Sequence, residues 1–115
     1  MPSDRADGAL RDILHHIDLA TKFVEGFDRQ TFKADIRSVY AATRCLEIIS
    51  EASRRLPADL KARYSAIAWK QMAGAGNVYP HDYEDVAAQF VWDMVERALP
   101  PLRTVVEQEI ARLIR

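Results

Sequence analysis

The residues best suited to chemistry are His81-Asp82-Tyr83. A histidine can donate or accept a proton near neutral pH. A tyrosine two positions later can hydrogen-bond a substrate or act as a nucleophilic acceptor. The triplet follows Gly74-Ala75-Gly76-Asn77-Val78-Tyr79-Pro80, a stretch too rich in glycine and proline for regular structure. Asp85 comes next and is placed to cap a long helix. Side chains in such a break point into clefts more often than into cores. On the three residues alone, a histidine with a purely structural place is the competing reading.

A second group is Arg44, Glu47 and Glu51, whose i+3 and i+4 spacings set them on one helix face. Charges on a helix this apolar are costly unless paired. Either they form an intrahelical ion pair, or the stripe faces a polar cleft or a partner subunit and orients His81 or Tyr83. Other combinations point away from chemistry. His15 and His16 are consecutive, so they project from different faces and lack the i+4 spacing of a helical metal pair. Cys45 is the only cysteine, which excludes an internal disulfide and a zinc site of its own, and suits a small buried residue in a helix. Gly74-Ala75-Gly76 lacks the Lys-Ser/Thr of a phosphate loop and has no strand before it. Neither a metal nor a cofactor is expected.

The elements that must position these residues read as helices throughout. Ser3 or Asp4 can cap a first helix with an apolar stripe of Leu10, Ile13, Leu14, Ile17 and Val24, ending near Gly26. A short polar stretch, Asp28-Arg29-Gln30-Thr31, precedes Phe32 as an anchor. Asp35 can cap a second long helix to about Leu56. Ile36, Val39, Tyr40, Ala42, Cys45, Leu46, Ile48, Ile49 and Ala52 cover more than one of its faces, which predicts a central position. Pro57 ends it and opens a short helix through Leu60 and Tyr64. Trp69 to Ala73 reads as another short piece. The last long helix carries Val86, Phe90, Met94, Val95 and Leu99. Pro100-Pro101 should kink or break it before Leu102, Val105, Val106, Ile110 and Leu113 resume the pattern. No stretch alternates as a strand. The expectation is an all-α antiparallel helical bundle of four to five helices, one domain over residues 1–115.

Composition sets the outer bounds. The 115 residues suffice for one core, and 49% hydrophobic with 29% charged residues is the balance of a globular protein. A net charge of -1 gives no bulk attraction to nucleic acid or an anionic membrane, so any RNA contact must rest on a local basic cluster. No apolar run approaches the ~20 residues of a membrane span, and the N-terminal residues lack a leader's apolar stretch. The cytoplasm is the expected compartment.

Taken in order, Arg44-Cys45-Leu46-Glu47-Ile48-Ile49-Ser50-Glu51-Ala52, then Ile67-Ala68-Trp69-Lys70-Gln71-Met72-Ala73-Gly74, then Asn77 through His81-Asp82-Tyr83, Val91-Trp92 and Leu99-Pro100-Pro101-Leu102 resemble the HepT-like branch of the HEPN superfamily. The resemblance spans nearly the whole chain. It implies a bacterial or archaeal toxin–antitoxin component that forms helical homodimers. Many members are metal-independent endoribonucleases acting on RNA at a cleft near the dimer interface. Their usual partner is a minimal nucleotidyltransferase antitoxin of the MntA type, which transfers AMP to the tyrosine of the His-x-Tyr motif, here Tyr83. His81, Tyr83 and Asn77 fall on the family's motif positions. Tyr40, Trp69, Phe90 and Trp92 supply more large aromatics than a small bundle readily hides, in keeping with a dimer.

The chain departs from the motif at one point. Where the family places an arginine just before the residue matched by Asn77, this sequence has Gly76. The alternative position, just before the histidine, holds Pro80, and nothing basic lies between Lys70 and His81. Cleavage by 2′-hydroxyl attack builds negative charge on the phosphate, and losing a positioned donor there typically costs ~10²–10³ in rate. Arg44 and Arg63 are candidate substitutes, and an arginine restored at 76 or 80 is expected to raise activity. Two function classes follow: a ribonuclease toxin, or a catalytically weak binding component still recognised by a nucleotidyltransferase.

Overall fold

A computed structural model of the chain describes residues 4–77 and 84–114. Ser3, Pro80, His81 and Tyr83 therefore lie outside the described residues. Helix α1 runs Asp4–Val24, and its stripe of Ala9, Leu10, Ile13, Ile17, Ala20 and Val24 is buried. Gly26 stops it with φ at 83°, in the left-handed region that costs glycine least. The polar stretch that follows is itself helical: α2, Arg29–Ala34. A reciprocal cap makes so short a helix possible. Thr31 N–H donates to Asp28 Oδ1 at 2.8 Å, and Asp28 N–H donates to Thr31 Oγ1 at 2.9 Å. Phe32 is fully buried, as an anchor should be.

Helix α3, Ile36–Arg54, is the central element, packing on α1, α2 and, further along the chain, the segment 69–77 and the helix that begins at residue 84. Asp35 holds its N-cap position without capping through its side chain; Asp35 Oδ2 instead accepts Ser38 Oγ at 2.6 Å. Pro57 precedes α4, Ala58–Arg63, and a loop leads to α5, Trp69–Gly74, which passes into a single 3-10 turn, Ala75–Asn77.

Helix α6, Glu84–Asp93, begins one residue before Asp85, so Asp85 lies within the first turn and is not the cap. The expected break at Pro100-Pro101 is displaced and softened. A π-helical turn, Met94–Ala98, comes first, closed by a bond from Leu99 N–H to the Met94 carbonyl, five residues back. Helix α7, Leu99–Leu113, then starts with both prolines in its first turn, where missing N–H groups leave fewer bonds unmade. Among the described residues there is no strand, and one core joins Leu10, Ile13, Phe32, Leu46, Ile49, Val91, Leu99 and Val106. The fold is all-α, as the periodicity predicts.

Candidate active site

The described part of the glycine-rich break is held against α3. Trp69 starts α5, with its indole N–H donating to the Lys61 and Tyr64 carbonyls at 3.1 and 3.0 Å. Met72 and Ala75 are buried beside α3. Gly76 comes closest. A Cβ built on it would stand 3.1 Å from Glu47 Cα, 3.1 Å from Ser50 Cβ and 3.2 Å from Ser50 Oγ. The first of these neighbours is backbone, which cannot swing aside. A side chain at position 76 is therefore tight, and Glu47 or the turn must give by a few tenths of an ångström to admit its first carbon.

Ser50 fastens this contact. It is 1% exposed, and its Oγ donates to the Ala73 carbonyl at 2.6 Å. Arg54, one turn further along α3, donates to the same carbonyl from Nε at 3.2 Å and Nη2 at 2.8 Å, and from Nη2 to Ser50 Oγ at 3.2 Å. Neither residue was singled out from the sequence. Both extend the Arg44–Glu47 stripe by one and two turns, and that extension was the available signal.

The nominated residues separate. Asn77 ends the 3-10 turn and is exposed. Arg44 Nη1 meets Glu47 Oε1 at 3.3 Å, the intrahelical pair that the spacing allowed, with the arginine side chain 70% exposed. Glu47 also backs Gly76. Glu51 pairs with Arg55 at 3.2 Å, and Arg55 reaches Asp12 of α1 at 3.0 Å, so this carboxylate belongs to the α1–α3 contact. Arg63 is not a free cation: its Nη2 lies 2.5 Å from Glu109 Oε1. Pro80, His81 and Tyr83 fall outside the described residues, so their relation to Asn77 is fixed here by the sequence alone.

Other groups complete the picture. Cys45 is 3% exposed, and burial pushes its thiol up to about 11, which keeps it protonated and unreactive. His16 Nδ1 bonds the Asp12 carbonyl at 2.7 Å. Among the described residues no three His, Cys, Asp or Glu side chains gather as metal ligands. No helix of the described residues is long and apolar enough to cross a membrane. A cavity of about 450 Å³ lies between α5 and the π turn, bordered by Ile67, Gln71, Met72, Phe90 and Arg97, and none of the nominated residues that the structure describes lines it.

Comparison with known proteins converges on one group. The model of the family described as Ribonuclease HepT-like matches residues 13–109. A protein of Methanocaldococcus jannaschii, MJ0125, provisionally named an RNase, is 31% identical over 98% of this chain and 97% of its own. A protein of Thermococcus cleftensis named "Probable ribonuclease HepT" is 33% identical over 82% of this chain and 86% of its own. No solved structure gives a significant match.

Proposed function

Because the chain belongs to the HepT-like ribonuclease family, we propose that it is the toxin of a toxin–antitoxin pair, an RNA-cleaving HEPN protein that acts in the cytoplasm and is silenced by AMP transfer to Tyr83. The observation that carries this reading is the seating of the 3-10 turn on α3. It delivers Asn77 to the surface, and the chain runs on from there to His81 and Tyr83 in the order of the family motif. In the reaction, the RNA 2′-hydroxyl oxygen attacks the adjacent phosphorus and gives up its proton, and the bond to the 5′ oxygen breaks as that oxygen takes a proton. His81 serves as the acid/base for these transfers. Asn77 contributes a hydrogen bond beside them.

Regulation uses the tyrosine. The Tyr83 oxygen attacks the α-phosphorus of ATP on a minimal nucleotidyltransferase of the MntA type, pyrophosphate leaves, and the phenol proton goes to a base. A free phenol with a pKa of ~10 is a poor nucleophile at pH 7, so His81 beside it in sequence assists. The added phosphodiester brings negative charge and bulk to the place an RNA phosphate would occupy. Incubation with the cognate nucleotidyltransferase, ATP and magnesium should add one AMP by intact mass. A Tyr83→Phe variant should stay unmodified, and equal modification of that variant would rule out the assignment. For cleavage, partner-free protein should cut RNA and the His81→Ala variant should not.

A second reading is favoured by one specific observation, the tight packing of Gly76 at the position where the motif this chain resembles has arginine. The protein is then a weak catalyst that binds RNA and its nucleotidyltransferase partner. Partner-free protein that binds RNA without cutting it would select this reading.

A further inference from the structure

Granted the RNA-directed reading above, we infer that Arg54 is the phosphate-binding cation of the site, standing in from α3 for the side chain that Gly76 does not carry. Three other arginines in or next to α3 and α4 are each neutralised by a carboxylate. Arg44 faces Glu47, Arg55 faces Glu51 and Asp12, and Arg63 faces Glu109. Arg54 makes three hydrogen bonds, all to neutral acceptors, the Ala73 carbonyl and the Ser50 hydroxyl. Its guanidinium is therefore held in place while its charge meets no described carboxylate.

The geometry of those bonds leaves a working edge. Nε and Nη2 grip Ala73, and no described residue bonds Nη1. Among the described residues nothing claims the Nη1 protons, which can meet a non-bridging phosphate oxygen, and an arginine already fixed in place gives up little freedom on binding. Ser50 supports the arrangement from a fully buried position.

Location makes the same point. Ala73, which Arg54 holds, lies three residues before Gly76. Ser50, which Gly76 packs against, lies about 6 Å from Arg54 along the α3 axis, at 1.5 Å per residue. The other cations nearby are less suitable. Arg44 is 70% exposed and already faces a carboxylate. Lys70 on α5 is exposed, with no described bond to hold it in place.

The test is binding and cleavage of a defined oligoribonucleotide by Arg54→Gln, Arg54→Lys, Arg44→Gln, Lys70→Gln and His81→Ala proteins, with thermal unfolding of each. Arg54→Gln should lower kcat/KM by about 10²–10³. It should also reduce the slope of log affinity against log salt by about 0.7, one phosphate contact on a single strand. Arg54→Lys should fall between, and added guanidinium should restore part of the activity to Arg54→Ala. Arg44→Gln and Lys70→Gln should change kcat/KM by less than about tenfold. His81→Ala separates the two claims. If it cleaves like the original protein, the RNA-cleavage reading fails; if it is inactive while folded Arg54→Gln keeps full activity and the full salt slope, the role of Arg54 fails. Should Arg54→Gln unfold, or the original protein bind RNA without cutting it, the unaltered chain still decides the matter. Titration with a 2′-O-methyl oligoribonucleotide should shift the Arg54 side-chain nitrogen resonances, and binding that leaves them unmoved overturns the inference.

Discussion

Gly76 decides how the turn lies on α3, and a single added carbon tests it. The Cβ of Gly76→Ala would stand 3.1 Å from the Glu47 backbone, closer than ordinary packing allows. Glu47 or the turn must give by a few tenths of an ångström, which strains the contact that Ser50 and Arg54 fasten through Ala73. Gly76→Ala is expected to destabilise the protein by about 1–3 kcal/mol, the usual range for overpacking a tight site, read as a lower unfolding midpoint in urea. Gly76→Arg should lose at least as much, so any gain in RNA cleavage from the restored cation should come with a lower midpoint. Faster cleavage with an unchanged midpoint would show that the turn accommodates the side chain freely. Residue types and spacing nominated His81 and Tyr83, and the family resemblance added Asn77 and marked the gap at Gly76. They could not reveal that Gly76 touches Glu47 and Ser50, because that contact joins segments 26 to 29 residues apart. Nor could they separate Arg54 from Arg55, adjacent residues whose partners lie on different helices.

At the scale of elements, α4 is pinned to α7 by one buried carboxylate. Glu109 is 4% exposed and accepts bonds from Arg63 at 2.5 Å, Tyr64 at 2.6 Å and Arg112 at 3.0 Å. Burial alone would raise its pKa. The bonds from Tyr64, Arg63 and Arg112 outweigh burial and hold it below the ordinary carboxylate value. The sign follows from linkage: a carboxylate depressed in the folded state stabilises the fold above its unfolded pKa of ~4.3, and that contribution disappears as pH falls through the folded value. Urea midpoints of the original protein should therefore fall between about pH 5 and pH 2, and Glu109→Gln should flatten that part of the profile while lowering the midpoint at pH 7. Parallel profiles for the two proteins would show that another carboxylate carries the acid sensitivity. Sequence periodicity found every long helix, because burial of Leu10, Ile13, Leu46, Val91 and Leu102 follows the helical repeat. It missed α2, whose evidence is a cap and not an apolar stripe. It misjudged Pro100-Pro101 because apolar spacing does not distinguish an α turn from the wider π turn that absorbs the prolines.

The whole molecule measures 45 × 25 × 22 Å, an elongated body with little net charge to steer a partner. Apolar contact must then supply most of any self-association, and the chain leaves material for it. Of the aromatics that suggested a dimer, Trp69, Phe90 and Trp92 are partly buried against this chain's own core, Trp92 meeting Phe32 in a tilted contact with ring centroids 5.4 Å apart. Tyr40 is different: it is 50% exposed, and Ile36, one turn before it on α3, is 53% exposed. Their i,i+4 spacing joins them into one patch near the amino end of the same helix that carries Ser50 and Arg54. We expect this patch to lie in a homodimer interface. An Ile36→Glu, Tyr40→Glu double variant should raise the dimer dissociation constant about 100-fold or more, the result of losing roughly 1.4 kcal/mol or more at each of two central contacts. Both side chains are half exposed already, so the monomer fold should change by about 1 kcal/mol or less. Sedimentation across a dilution series reads the association, and thermal unfolding reads the fold. If the cleavage site lies at the interface, as in the family this chain resembles, RNA cleavage should decline in step with the dimer. An unaltered chain that sediments as a monomer at micromolar concentration would remove the dimer, and a double variant that dimerises as tightly as the original would move the interface to another face.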